Sequence, residues 1–284
     1  MNIKEILTST EEYLKKHGVN NPRLEAEVLL SHVMELERIQ LYVHFDKPLK
    51  KGELDQYRDL VHKRAQKVPI AYLLEKKEFM SLEFFVNEDV LIPRPETEEL
   101  VESLIKYCEK KSLNDPNIVD VCTGSGAIAV SLAYYLTDAR ILAIDISAEA
   151  LEVSKKNIEK FQLSQRVKAA RGDLLSPLIK LEKKNVDIVV SNPPYIDKEG
   201  MAILSEEVKK EPAIALSGGN DGLDYYRKLI PQAKSVLKIE GLLAMEIGYN
   251  QGESIKKLFD EDWKNIRVEK DLSGHDRMVF AEKI

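Results

Sequence analysis

Apolar residues recur at helical spacing through the first 77 positions. Ile3, Ile6 and Leu7 are followed by Tyr13 and Leu14; Asn21-Pro22 signals a new helix start, and Leu24, Val28 and Leu29 continue a second stripe. Leu54, Tyr57, Leu60 and Val61 form a later one. Gly52 is the one glycine between Asn20 and Arg94, and β-branched residues are sparse until position 84. Residues 1–77 therefore read as a small helical domain whose stripes form its core. The pattern then turns to alternation. Leu82, Phe84 and Val86 interleave with Glu83, Phe85 and Asn87, Asn87-Glu88-Asp89 breaks the run, and Val90-Leu91-Ile92 resumes it. This predicts a β-hairpin linker over 78–93. From 94 to 284 the two periods alternate. Strands are predicted at 118–121, 141–145, 167–170, 186–191, 242–247, 264–270 and 277–282, and helices at 96–110, 127–136, 148–161, 225–237 and 251–260. Such alternation implies an α/β architecture: a mostly parallel sheet with helices on both faces and ligands at the carboxyl ends of its strands.

Composition narrows the class. With 44% apolar and 32% charged residues, the 284-residue chain reads as a soluble globular protein. No stretch approaches the roughly 20 apolar residues of a membrane span, and Met1-Asn2-Ile3-Lys4-Glu5 has no apolar core like that of a signal peptide. Cys108 and Cys122 give neither a disulfide framework nor metal spacing, and His32, His44, His62 and His275 have none either. No metal is expected, and a reducing, cytoplasmic setting is the simplest expectation. The net charge of −6 argues against broad nonspecific nucleic-acid binding. Residues 1–77 carry +2 and the remainder −8. A solvated helical surface explains this asymmetry at least as well as a binding patch.

Candidate chemistry gathers at the predicted strand ends. Asn192-Pro193-Pro194-Tyr195 follows the apolar run 186–191. The two prolines form a stiff turn with carbonyls but no N–H donors. The Asn192 oxygen and the Pro193 carbonyl can accept the two hydrogens of a planar NH2 group while the Tyr195 ring covers one face. Taken alone, Asn-Pro-Pro serves equally as a plain loop. Asp120-Val121-Cys122-Thr123-Gly124-Ser125-Gly126 lies between a strand and a helix. Gly124 and Gly126 let the backbone pass close to a ligand, and the following helix presents unpaired N–H groups; a tight turn is the plain alternative. Asp145 ends the next strand, where an acid can hold both hydroxyls of a ribose. The spacing also suits a nicotinamide enzyme. Asp173 and Leu174 follow the third strand and can meet an adenine edge and face; an exposed turn acid explains Asp173 if it is considered alone.

These residues resemble the class I S-adenosylmethionine-dependent methyltransferases. Within them, the chain is similar to the PrmC/HemK family, the protein-glutamine N5-methyltransferases of peptide chain release factors. The resemblance covers nearly the whole chain. It includes Pro69-Ile70-Ala71-Tyr72, Glu78-Phe79, Ile92-Pro93-Arg94-Pro95-Glu96-Thr97-Glu98, the loop Thr123 to Ala129, Ser191 to Tyr195, Glu211-Pro212, the run Gly218 to Asp224 and Glu246-Ile247-Gly248. Asn-Pro-Pro-Tyr is shared with DNA and RNA amino-methyltransferases. Pro-Arg-Pro-Glu-Thr-Glu is more restricted, and ribosomal-protein glutamine methyltransferases usually read Pro-Arg-Ser-Pro there. Cys122, Glu75 and Ser81 depart from the family, which has Gly at the first position and often at the other two.

The resemblance implies a Rossmann-like class I methyltransferase sheet of seven strands, mixed with an antiparallel edge, over residues 94–284. It implies S-adenosyl-L-methionine as cofactor and S-adenosyl-L-homocysteine as product. It implies as substrate the side-chain amide nitrogen of the glutamine in the Gly-Gly-Gln loop of class 1 release factors. It implies that residues 1–77 are a substrate-docking domain, and no direct nucleic-acid or membrane partner is expected. Cys122, Thr123, Gly124, Ser125 and Gly126 are assigned to the methionine moiety, Asp145 to the ribose, and Asp173 and Leu174 to the adenine side. Asn192 stands at the reacting end with Pro193, Pro194 and Tyr195. Arg94 and Thr97 either close over the cofactor or belong to a helix start, with Pro95 and Glu96 in its first turn. The rivals are an N6-adenine or other amino-methyltransferase acting on DNA or RNA, which needs a basic groove, and a ribosomal-protein glutamine methyltransferase. A noncatalytic nucleotide-binding regulator has no use for Asn192 to Tyr195. A dehydrogenase lacks a visible hydride-transfer site.

Overall fold

The computed structural model describes residues 1–284. The chain divides into two compact units, Met1–Lys76 with Ser205–Lys210, and Lys77–Leu204 with Glu211–Ile284. The first holds helices α1 (Ile3–Lys16), α2 (Pro22–Met34), α3 (Arg38–Val43), α4 (Lys51–Ala65) and α5 (Ile70–Leu73). Asn2 and Glu5 form a capping box that starts α1. Ile3, Leu7, Leu14, Leu29, Leu30, Leu41 and Tyr57 fill the core. The buried stripe of α2 is Ala26, Leu29 and Leu30, and Leu24 is 41% exposed. The sequence pattern misplaced this face because it includes a charge. Glu27 is buried there, held by Arg23, Arg38 and Tyr42. Arg64 is likewise buried, bridging Glu25 and Glu207, which brings Ser205–Lys210 into this unit.

A hairpin starts at the last residue of the first unit and runs into the second, with strands β1 (Lys76–Phe79) and β2 (Leu82–Phe85). Its turn is Met80-Ser81, both left-handed at φ 51° and 56°, the geometry of a two-residue I′ hairpin. The sequence reading put the break at Asn87-Glu88-Asp89. That segment is instead a local Asx turn in which Asn87 and Asp89 bond each other, and no strand follows it. Such a turn is ordinarily announced by Asn-Gly, so Met-Ser conceals it.

The remaining elements alternate: α6 (Pro95–Lys111), β3 (Asn117–Val121), α7 (Ala127–Tyr135), β4 (Arg140–Asp145), α8 (Ala148–Lys160), β5 (Val167–Arg171), α9 (Ser176–Lys180), β6 (Val186–Ser191), α10 (Lys198–Ile203), α11 (Asp224–Val236), β7 (Leu237–Glu246), α12 (Gly252–Lys256), β8 (Trp263–Lys270) and β9 (Asp276–Lys283). The seven-stranded sheet runs β5-β4-β3-β6-β7-β9-β8. Its first five strands are parallel, and β9 is antiparallel to both neighbours. The antiparallel strand thus lies one in from the edge. Leu100, Leu104, Ile128, Leu132 and Ile158 pack on one face, and Tyr226, Leu229, Ile230, Ala233 and Ile255 on the other. Strand β7 begins five residues before the predicted 242, because Lys238, Glu240 and Gly241 hide its start from an apolar count. Helix α12 is shorter than the predicted 251–260, ended by three-residue turn bonds at Leu258 and Phe259.

Candidate functional site

Strand order reverses between β3 and β6, the position where open α/β sheets bind ligands. Register fixes what stands there. Ile144, Val121, Ser191 and Met245 are level across four parallel strands. One residue further along, Asp145, Cys122, Asn192 and Glu246 form the next row. A ribose-type acid, a glycine-loop residue, the amide of Asn192 and a second acid are thus set side by side by strand pairing.

The loop after β3 is held from below and from the side. Asp120 is fully buried; its Oδ2 accepts from Thr123 Oγ1 at 2.5 Å and from the Ala129 N–H at 3.2 Å. Its Oδ1 has no hydrogen-bond partner, and burial pushes the carboxyl up to about 7. Asp145 Oδ2 accepts from the Gly124 N–H at 2.8 Å and Oδ1 from the Ser147 N–H at 3.0 Å. Burial raises its pKa, and these N–H bonds oppose the shift. Asn157 on α8 is buried and ties three places together. It accepts from the Phe85 N–H and donates to the Phe85 and Ser125 carbonyls. Gly126, at φ 81°, has no room for a side chain, since a Cβ would stand 2.7 Å from Ser154 Oγ.

The turn after β6 is fixed by a polar chain. Asn192 Nδ2 donates to Thr97 Oγ1 at 3.1 Å, and Thr97 Oγ1 donates to Glu246 Oε2 at 2.5 Å. The Tyr195 hydroxyl donates to Glu246 Oε1 at 3.4 Å. Glu246 is 1% exposed, and burial pushes its carboxyl up to about 7. Burial also raises the Tyr195 phenol. Gln251 Nε2 donates to the Tyr195 carbonyl at 2.9 Å. Gly222 has to be glycine, because a Cβ would come within 2.4 Å of that same oxygen.

The segment Pro93 to Glu98 acts as a bracket. Arg94 pairs with Glu211 at 2.5 Å, Pro95 is the first residue of α6, and Glu98 accepts from the Met80 N–H at 2.8 Å in the hairpin turn. Thr97 reaches Asn192 and Glu246 as described.

A pocket of about 540 Å3, counting its part open to solvent, lies over this row. Its walls bring together Cys122, Gly124, Asp145, Asn192 and Pro194 from the sequence-predicted set. Thr123, Ser125, Gly126, Pro193 and Tyr195 lie beside these residues in sequence, Thr97 is hydrogen-bonded to Asn192, Arg94 pairs with Glu211, and none of the seven is among its lining residues. Asp173 is exposed and Leu174 is buried in the core, and neither lines the pocket. Ile146, Ser147, Ala150, Leu91, Ile214 and Tyr225 also line it and were not singled out from sequence. Ile146 carried a usable signal: it is an apolar residue directly after a strand-end acid, and it is 46% exposed. Glu246 carried another, as a lone charge in the apolar run 242–247.

The walls suit an adenosine-bearing cofactor. Each Asp145 oxygen takes one N–H and keeps capacity for a hydroxyl. Ile146 offers an apolar wall. A Cβ on Gly124 would meet nothing within 4 Å, so the backbone there is open to a ligand.

Comparison with known proteins agrees with the fold and identifies the family. Residues 5–74 match the PrmC N-terminal domain and residues 97–220 the methyltransferase small domain. The chain is 42% identical to a release factor glutamine methyltransferase of Clostridium acetobutylicum, over 99% of this chain and 98% of that one. It is also 42% identical to one from Bacillus subtilis, over 98% and 97%. A methyltransferase from Pyrococcus furiosus superposes with a TM-score of 0.52 over 81% of this chain and 98% of its own, at 18% identity, which speaks to the fold. The fold is that of the class I methyltransferases, which use S-adenosylmethionine. No helix is long and apolar enough to cross a membrane.

Proposed function

The chain belongs to the release factor glutamine methyltransferase family, and on that premise we propose that it methylates N5 of the glutamine in the Gly-Gly-Gln loop of class 1 peptide chain release factors. Residues 1–77 serve in this reading as the body that docks the release factor. The observation that carries the reaction is the row Asp145, Cys122, Asn192, in which a ribose-type acid and an amide oriented by Thr97 share one pocket.

S-adenosylmethionine, when bound, supplies an electrophilic methyl on its sulfonium and leaves as S-adenosylhomocysteine. Asp145 would hold the ribose hydroxyls, the Cys122 to Gly126 backbone would border the methionine moiety, and Ile146 would face the adenine. Asp173 and Leu174 are less suited to that last role, one pointing to solvent and the other packed in the core.

A carboxamide nitrogen is a poor nucleophile because its lone pair is delocalised into the carbonyl. The protein's task is therefore alignment more than base strength. The Asn192 oxygen and the Pro193 carbonyl accept the two amide hydrogens, fixing the plane of the group and pushing electron density toward nitrogen. Pro194 shapes the turn, and Tyr195 anchors it through Glu246 and Gln251. Orientation of this kind is worth roughly 7–11 kcal/mol in favourable cases. The surplus proton leaves the nitrogen after transfer, and the pocket's open side gives it a route to water.

Replacing Asn192 with Ala should reduce transfer to release factor by about 100-fold or more and leave cofactor affinity within a few-fold. Asp145→Ala should instead weaken cofactor binding, through the lost ribose contact and the loosened Gly124. Assay with labelled S-adenosylmethionine and intact release factor, with its loop glutamine replaced as the control, tests both. Near-normal turnover in Asn192→Ala, or label that persists without the glutamine, overturns the reading.

A further inference from the structure

Asn192 can hold a substrate amide only if its side chain is turned the right way. Its oxygen has to face the pocket and its NH2 has to face the protein. Asparagine itself does not decide this, because the two ends of its amide are nearly the same shape. The decision comes from two residues further back. Glu246 is buried at the end of β7 and accepts from Thr97 Oγ1 at 2.5 Å and from the Tyr195 hydroxyl at 3.4 Å. An ionised carboxylate only accepts, and a threonine hydroxyl has a single hydrogen. Once that hydrogen is given to Glu246, Thr97 can offer Asn192 nothing but lone pairs. Asn192 must then present Nδ2 to Thr97, as it does at 3.1 Å, and its oxygen is left for the pocket.

We propose that Glu246, acting through Thr97, sets the amide orientation of Asn192 and is thereby a positioning residue for glutamine methylation. The inference rests on the proposed reaction at Asn192. It gives Thr97 a function distinct from covering the cofactor, in keeping with its absence from the pocket wall.

Protonation reverses the logic. Glu246 in its acid form can donate to Thr97, which frees the threonine hydrogen for the Asn192 oxygen and lets the amide turn over. The groups facing Glu246 are Thr97 and Glu96 from α6, Tyr195 after β6, Tyr226 from α11 and Arg277 from β9. Tyr226 donates to the Glu246 main-chain oxygen at 2.9 Å, and Arg277 is engaged by Asp271 at 3.1 Å. No direct cation fixes the carboxyl in its charged form, and burial holds it near neutrality, at about 7.

The test is a kinetic series on the full-length enzyme with release factor, measured from pH 6 to 9, with cofactor affinity and release-factor binding titrated in parallel. Thr97→Val keeps the shape and deletes the relay, so kcat/KM should fall roughly 10- to 100-fold with cofactor affinity within twofold. Thr97→Ser restores the hydroxyl and should recover most of the rate. Wild type should gain activity through an inflection close to pH 7. Glu246→Gln, which can turn either end toward Thr97, should lose several-fold at pH 8 and lose that inflection. Equal rates for Val and Ser at position 97, or an inflection that survives in Glu246→Gln, overturn the inference while leaving the reaction intact. A wild type that methylates no glutamine overturns the proposed function itself, and the inference with it.

Discussion

Cys122 lines the pocket with its backbone at φ 60°. Glu75 and Ser81, the other two positions where the related family has Gly, are left-handed as well, at 54° and 56°. All three departures therefore fall where a Cβ is disfavoured, by about 1–2 kcal/mol per residue. Replacing Cys122 with Gly relieves that strain but adds chain entropy to the unfolded state, worth roughly 0.5–1 kcal/mol, and removes the packing of the thiol. The two sides nearly offset, so Cys122→Gly should melt close to wild type. Cys122→Val adds a β-branched side chain at the same φ and should lose about 1–3 kcal/mol. Denaturant titration of the pair checks this, and a valine variant as stable as the glycine one removes the strain argument. The strand-end residues show how far single positions can be read. Asp145 announces itself as an acid closing an apolar run. Glu246 has the same signature, but its partner Thr97 is 149 positions away. Periodicity says nothing about a contact over that distance.

At the level of elements, the parallel strands were readable because each is a short apolar run followed by a polar end, and buried parallel strands have no other pattern. Their register was not written in those runs; strand pairing supplies it and brings Asp145, Cys122 and Asn192 level. The hairpin was misplaced because its turn residues, Met80 and Ser81, are poor formers of the turn they make. The α2 face was misread because Glu27 is buried inside a hydrogen-bonded cluster. In both cases tertiary contacts override local preference. The helical unit has a prediction of its own. Its lysines at 4, 15 and 16 are exposed along α1. If this unit docks the release factor, chemical cross-linking of the enzyme–substrate complex should yield links from residues 1–77. Links confined to 94–284 would count against docking by the helices.

For the molecule as a whole, the acid that orients Asn192 bears on stability. Glu246 titrates at about 7 when folded and near 4.5 in its ordinary state. Below pH 4.5 both the folded and unfolded chains hold the proton, and burial carries no charge penalty. Between 4.5 and 7 the folded state keeps a proton that the unfolded state has released, so stability falls as pH rises. Above 7 the carboxylate is ionised in both states, and the full penalty remains, on the order of 3 kcal/mol. Asp120 has the same sign, with a folded value of about 7, but it is common to any comparison made at position 246. Glu246→Gln removes the titration while keeping an oxygen for Thr97. The variant should therefore melt at nearly the wild-type temperature at pH 5 and pull ahead by several degrees at pH 8. The same pH rise that restores the Asn192 orientation in the wild type should lower its melting point. Melting curves for the two proteins across pH 5 to 8 decide the matter. A constant gap between them would mean that Glu246 is not the buried acid that titrates near neutrality. A gap that widens toward pH 8 while Glu246→Gln loses the rise in activity would tie both effects to one ionisation.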